Sequence, residues 1–296
     1  MANALKELSA SLREAVRRAG AYTVTVERRP YPVSGVLIGD AKVLTADHLV
    51  AEDEDIGVLL PDGSHAKATV AGRDPAHDLA LLRLEKAVSA ATQRPASLEV
   101  GDIVLSLRRD PFDGINAGLG IVSAVGSKLR LSRAGVLERY LQMDATRTRG
   151  STGGPLADAE GGFAGIQVFN QRFGAEVAIP ADLALERAAT LETKGSIKRP
   201  WLGIRSQVVE IPEGARKTMG KDQESGLLIV SLEKGSPADR AGLQVGDILI
   251  ALSGTPIREH GELIAAMADL GAGAEAKIDI LRGGSPRSVS AAIGGA

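Results

Sequence analysis

No cysteine occurs among the 296 residues. That excludes a disulfide scaffold, a thiolate metal site and a cysteine nucleophile. Aromatic side chains are scarce too, with one Trp, three Tyr and four Phe, so the core must be built from Val, Leu, Ile and Ala. Only four histidines are present, His48, His65, His77 and His260. None has HExxH or paired-ligand spacing, and no P-loop or dinucleotide fingerprint appears, so neither a metal nor a cofactor is expected. Charge of one sign is lacking as well: 35 Lys and Arg face 37 Asp and Glu, a net charge of −2. The arginine pairs at 17–18, 28–29 and 108–109 are dispersed. Neither nucleic acid nor an anionic membrane is expected as a partner.

A long apolar run is missing from the start of the chain. ALKELSASLREAVRRAG places Leu5, Leu8, Leu12 and Val16 at helical spacing between charges, which predicts an amphipathic helix over 1–20 and not a signal peptide or membrane span. On that reading the protein is expected in the cytoplasm.

What is abundant is glycine, 35 residues, punctuating short runs rich in β-branched residues. Strands are predicted at YTVTVE (22–27), VSGVLIG (33–39), KVLTA (42–46), IGVLL (56–60), AKATVA (66–71) and LALLRL (79–84). Others follow at 103–108, 118–126, 137–143, 163–169 and 175–180. Many short strands between turn signals predict an all-β barrel or sandwich. Helical periodicity begins at Asp182, and Gly195 to Pro200 reads as a helix stop and linker. The remaining hundred or so residues mix strands with helices at PADRAG and HGELIAAMAD. Three regions result: a helix over 1–20, a β domain over 21–195 and a smaller α+β domain over 196–296.

The chemistry concentrates in RGSTGGPL (149–156). Acyl transfer by a hydroxyl needs a base, a carboxylate to orient it, and N–H donors for the oxyanion. His48 follows a strand in VLTADHLV, Asp78 precedes one in RDPAHDLALLRL, and the glycines of GSTGGPL let main-chain N–H groups face a cavity. The order His, Asp, hydroxyl across a β domain is that of the chymotrypsin-like barrels.

On these residues the chain resembles the HtrA serine peptidases, a trypsin-like barrel followed by one or more PDZ domains. The resemblance runs from about residue 20 to the end. It includes SGVLI, LEVGDIVLSL, GIVSAVG and GSTGGPLADAEGGFAGI. It implies a mainly β fold, a chymotrypsin-like double β-barrel and then a PDZ domain. It implies His48 as base, Asp78 as its orienter, position 152 as nucleophile, and the N–H groups of Gly150 and Thr152 as oxyanion hole. It also implies a homotrimer built through the barrels. WLGI (201–204) with GSPADRAGLQVGDILIALSGTPI resembles a bacterial PDZ domain. The N–H groups of Leu202, Gly203 and Ile204 would then hold a peptide's C-terminal carboxylate, and the following strand would pair with the peptide. Asp247 is expected to anchor a turn. Leu263, Ile264 and Met267 are candidates for either the pocket wall or the core.

Three departures from the family stand out. Thr152 fills the nucleophile slot with Ser151 one place early, Arg147 and Arg149 lie where an apolar, Asn-Pro-containing run is usual, and PFDG varies the usual turn. Threonine carries the hydroxyl, but its methyl must fit beside the imidazole or the incoming carbonyl. An HtrA-like serine-type endopeptidase of protein quality control acting on unfolded polypeptides is expected, impaired or inactive because Thr152 fills the nucleophile slot, with C-terminal peptides as PDZ ligands. The alternative is a non-catalytic peptide-binding or holdase-like pseudoprotease.

Overall fold

The computed structural model describes residues 2–28, 30–88, 95–130, 136–145, 149–170, 175–197, 200–219 and 223–295. The chain forms two compact units, 1–197 and 198–296.

Helix α1 (Ala2–Gly20) opens the first unit. Only the second half of its predicted apolar face is covered. Leu12 and Val16 pack on the core and Ala15 and Ala19 are buried, while Leu5 and Leu8 are 67% and 44% exposed. Six strands then close a first barrel: β1 (Thr23–Val26), β2 (Val33–Leu37), β3 (Lys42–Ala46), β4 (Ile56–Leu59), β5 (His65–Asp74) and β6 (Leu79–Leu84), in the order β1-β2-β3-β6-β5-β4.

A second barrel uses β7 (Ile103–Asp110), β8 (Gly114–Gly126), β11 (Tyr140–Ala145), β12 (Pro155–Asp158), β13 (Phe163–Asn170) and β14 (Ala175–Pro180), in the order β11-β14-β13-β12-β7-β8. A two-stranded pair, β9 (Leu129–Arg130) and β10 (Val136–Leu137), stands apart, and α2 (Ala181–Lys194) closes the unit. The predicted run 137–143 is thus divided between β10 and β11. Strand β12 was not expected from the sequence, because it is four residues long and begins with a proline. A proline has no N–H for the ladder, and the first residue of a strand is one of the few places it is tolerated.

Alternation explains how the barrels meet. In β1 the sequence TVTV sends Val24 and Val26 to the core, while Thr25 donates its hydroxyl to Arg109 O at 2.9 Å. Arg109 N–H reaches Ser34 Oγ at 3.2 Å, and the Arg109 guanidinium donates to Gly20 O and Thr23 O, both at 2.7 Å. Burial pushes that guanidinium's pKa down. Polar side chains on β1 and β2 therefore hold β7 against the first barrel.

The second unit consists of β15 (Pro200–Trp201), β16 (Ile204–Glu210), α3 (Glu213–Met219), β17 (Ser225–Leu232), α4 (Pro237–Arg240), β18 (Ile248–Leu252), β19 (Thr255–Pro256), α5 (His260–Leu270), β20 (Glu275–Arg282), β21 (Ser285–Ala292) and β22 (Gly294–Gly295). Its main sheet runs β16-β17-β18-β20-β21, so β16 is an edge strand. Leu263 and Met267 belong to its own core, and Ile264 is 45% exposed. Asp247 is buried, takes two bonds at 2.7 Å from Arg282 and one at 2.8 Å from Gln244 N–H, and so anchors its turn.

Candidate functional site

His48 sits in a single 3-10 turn, Asp47–Leu49, directly after β3. Asp78 precedes β6, the neighbour of β3 in the barrel. The ladder therefore brings together two residues 30 apart in sequence. The Asp78 carboxylate lies 2.8 and 2.9 Å from His48 Nδ1 and also accepts the His48 N–H at 3.0 Å. The Asp78 carbonyl accepts the Asp47 N–H at 3.1 Å. Asp78 itself has φ +56°, a left-handed conformation that few non-glycine residues adopt and that Asp tolerates better than most. A carboxylate only accepts, so Nδ1 carries a hydrogen and, in the neutral ring, Nε2 is left with its lone pair free to accept. The His48 side chain is 40% exposed and that of Asp78 12%.

A second network braces the same turn from behind. Arg73 donates to Asp47 Oδ1 at 2.7 Å, to the Val50 and Glu52 carbonyls, and to Asp53 Oδ1. Nothing in the sequence pattern points to this role for Arg73.

The 149–154 loop comes from the second barrel and lies against the end of β3. A Cβ on Gly153 would fall 2.4 Å from Thr45 Oγ1, 2.5 Å from Ser34 O and 3.1 Å from Ala46 N, and Gly153 has φ +84°. Only glycine fits there, which places Thr152 next to the strand end that carries His48. Gln167, 1% exposed, holds the loop's far side. Its main chain exchanges bonds with Gly153 N–H at 2.8 Å and Gly154 O at 2.9 Å, and its amide donates to Leu107 O and Pro155 O. The sequence did carry a signal for Gln167: it is the one polar residue inside the buried run FAGIQV (163–168).

Ser151 and Thr152 are placed differently. Ser151 is 2% exposed, whereas Thr152 is half-buried. Neither Thr152 Oγ1 nor His48 Nε2 bonds another described residue, and the N–H groups of Gly150 and Thr152 likewise have no acceptor among the described residues. Arg149 stacks over Tyr31 with its guanidinium 4.4 Å from the ring centroid. Arg147 lies outside the described residues.

In the second unit, Leu202 and Gly203 have their carbonyls committed, to Ala238 N–H at 3.0 Å and Glu233 N–H at 2.9 Å. Their N–H groups make no loop hydrogen bond among the described residues. Gly203 has φ +77°, and a Cβ there would fall 2.2 Å from Ser236 Cβ. A cavity of about 480 Å³ at this loop is lined by Trp201, Gly203, Ile204, Arg205, Ser231 and Glu233.

Comparison with known proteins agrees with this layout. A trypsin-like peptidase domain family matches residues 33–166 and a PDZ domain family matches 200–293. A probable periplasmic serine endoprotease, DegP-like, of Ectopseudomonas mendocina is 34% identical over 271 residues, covering 88% of this chain and 56% of that protein. Its counterpart in Rhizobium meliloti is 30% identical over 264 residues, covering 86% of this chain and 51% of that protein. The chain thus spans about half the length of the curated relatives it matches. Among solved structures, the serine endoprotease from Yersinia pestis is 26% identical with a TM-score of 0.70, covering 96% of this chain and 98% of that one. The HtrA-type protease AlgW with tripeptide is 27% identical with a TM-score of 0.66, covering 96% of each chain. These names correct the cytoplasmic expectation. The curated relatives are called periplasmic, which points to a periplasmic and not a cytoplasmic location.

Proposed function

Because the chain is of the HtrA/DegP type of serine endoprotease, a trypsin-like peptidase domain followed by a PDZ domain, we propose that it hydrolyses unfolded polypeptides weakly, with Thr152 as an impaired nucleophile. The observation that carries this reading is the His48–Asp78 pair, its Nδ1 to carboxylate distances 2.8 and 2.9 Å, beside a glycine-built loop that presents Thr152. In the proposed sequence, Thr152 Oγ1 attacks the scissile carbonyl as His48 Nε2 takes its proton. The Gly150 and Thr152 N–H groups receive the oxyanion, and the imidazolium returns the proton to the leaving amine. Water then repeats the cycle on the acyl-threonine. Asp78 holds the ring in its tautomer and stabilises the imidazolium.

The extra methyl supports the word impaired. An off-rotamer hydroxyl costs about 0.5–1.5 kcal/mol, and a misplacement of about 1 Å can cost around 10²-fold in rate. The same residue favours the second reading, a peptide-binding or holdase-like protein silenced at this position. Retention of a base and its orienter favours the first, since a barrel freed from catalysis has no physical need for them. Degradation of unfolded casein by this chain and by Thr152→Ser separates the two.

For the second unit, the proposed ligand is a peptide C-terminus. The N–H groups of Leu202 and Gly203, which have no acceptor among the described residues, would take the carboxylate with that of Ile204 beside them, and the open edge of β16 would take the strand. Proteins of this type with bound peptide, such as AlgW with tripeptide, support the assignment. A homotrimer through the barrels completes the proposal, to be checked by light scattering of the purified chain.

A further inference from the structure

The open edge of β16 is not empty of contacts. His260, the first residue of α5, reaches across to it, with Nε2 2.8 Å from the Ser206 carbonyl oxygen. A carbonyl only accepts, so Nε2 carries the hydrogen. The β16–β17 ladder shifts register between Arg205 and Ser206, and the Ser206 carbonyl, directly after that shift, is the one bonded to the α5 ring. Ile264, one turn further along α5, shares the face of His260 and is 45% exposed. His260 thus joins the first turn of α5 to the edge of β16.

We infer that His260 is an internal competitor for peptide, occupying the main-chain acceptor that an added strand needs, so that capture requires the ring to leave Ser206. The inference rests on the reading of this edge as a peptide site. An antiparallel peptide with its carboxylate at Leu202–Ile204 sets its last residue opposite Ile204 and its third-from-last opposite Ser206. Alternate residues of a strand direct their main-chain groups to the same edge. The peptide N–H at that third position and the His260 N–H therefore seek the same oxygen. An added strand lies about 4.7–4.9 Å from its neighbour, and its amide nitrogen within hydrogen-bond range of that oxygen crowds a ring nitrogen already 2.8 Å away. The apparent affinity is then the intrinsic affinity scaled by the fraction of molecules with the ring released.

The test is a fluorescence-anisotropy titration of the 296-residue chain and of His260→Ala. The probes are fluorescein-labelled decapeptides ending in Val, Leu, Ile or Phe, each with a free carboxylate and each beside its amidated twin. One internal hydrogen bond removed should tighten carboxylate-dependent binding about 3- to 10-fold. In parallel, ¹⁵N spectra of the histidine rings should show a His260 Nε2–H signal in the free chain that shifts or exchanges away at peptide saturation. Carboxylate-dependent binding that His260→Ala leaves unchanged or weakens overturns the competitor role, as does an Nε2–H signal that saturation leaves unmoved. If no peptide binds either chain better than its amidated twin, the peptide-site reading itself fails and takes the competitor with it.

Discussion

Gln167 clasps Gly153 and Gly154 between its own main-chain groups, accepting the Gly153 N–H at 2.8 Å and donating to Gly154 O at 2.9 Å. Its side chain continues the clasp, donating to Pro155 O and Leu107 O and accepting from Ser106. Gln167 therefore ties the segment that presents Thr152 with both its main chain and its side-chain amide. Gln167→Leu keeps the main-chain bonds but strands the Ser106 hydroxyl and two carbonyls. An unsatisfied buried group costs about 1–3 kcal/mol, so destabilisation of about 2–4 kcal/mol is expected in urea denaturation. A change below about 0.5 kcal/mol would show that the clasp is not structural.

The proposed nucleophile, Thr152, yields the sharpest kinetic prediction. Thr152→Ser should raise cleavage of unfolded casein by on the order of 10²-fold or more, and Thr152→Ala should remove the weak cleavage that the threonine hydroxyl supports. Ser151, at 2% exposure, should be dispensable in the Thr152→Ser background. Adding His48→Ala should abolish the gain, because the hydroxyl then has no base. Inertness of Thr152→Ser, with and without C-terminal peptide, leaves the binding-protein reading in possession.

For the PDZ loop, amidating a bound peptide's C-terminus should weaken binding by at least tenfold, the loss of a charge-assisted anion contact worth about 1.5–3 kcal/mol. Isothermal titration of paired free and amidated peptides measures it. Equal affinities would remove Leu202, Gly203 and Ile204 from the role proposed for them.

Acid should loosen the tip between β7 and β8. The Asp110 carboxyl is held below its ordinary range, first by the Phe112 N–H and then by the Asp113 N–H and Arg108. A depressed folded-state pKa stabilises the fold above the unfolded value of about 3.9 and loses that contribution as pH falls through the folded value. Asp110→Asn should therefore reduce stability at neutral pH and narrow the gap to the parent chain below about pH 4. A difference that stays constant across this window assigns the effect to shape and not to charge.

Much of the fold was legible because its signals are local. Turn glycines and period-two alternation marked most strands of both barrels, and TVTV and KVLTA became β1 and β3 nearly as read. The short strand β12 escaped, since a four-residue segment starting with Pro155 carries too little periodicity. The helix Ala2–Gly20 carries a helical apolar spacing in its sequence, but that spacing does not tell how much of the apolar face is covered. Leu5 and Leu8 stay exposed while Ala15 and Ala19 are buried, because burial depends on what the rest of the chain brings to each turn.

By itself the sequence determined the kinds of groups available: a histidine after one strand, an aspartate before another, and a hydroxyl among glycines whose backbone tolerates φ above zero at Gly150 and Gly153. It determined equally that the hydroxyl is a threonine's. Tertiary structure alone decided that β3 pairs with β6, which sets His48 Nδ1 2.8 Å from Asp78 across 30 residues. It also decided that Gly153 packs against Thr45, that Gln167 ties the loop from beneath, and that His260 closes on Ser206. The physical reason is one of range. Propensity, turn chemistry and side-chain identity act within a few residues, whereas a hydrogen bond between distant segments exists only once strand register and core packing have brought both partners to the same place.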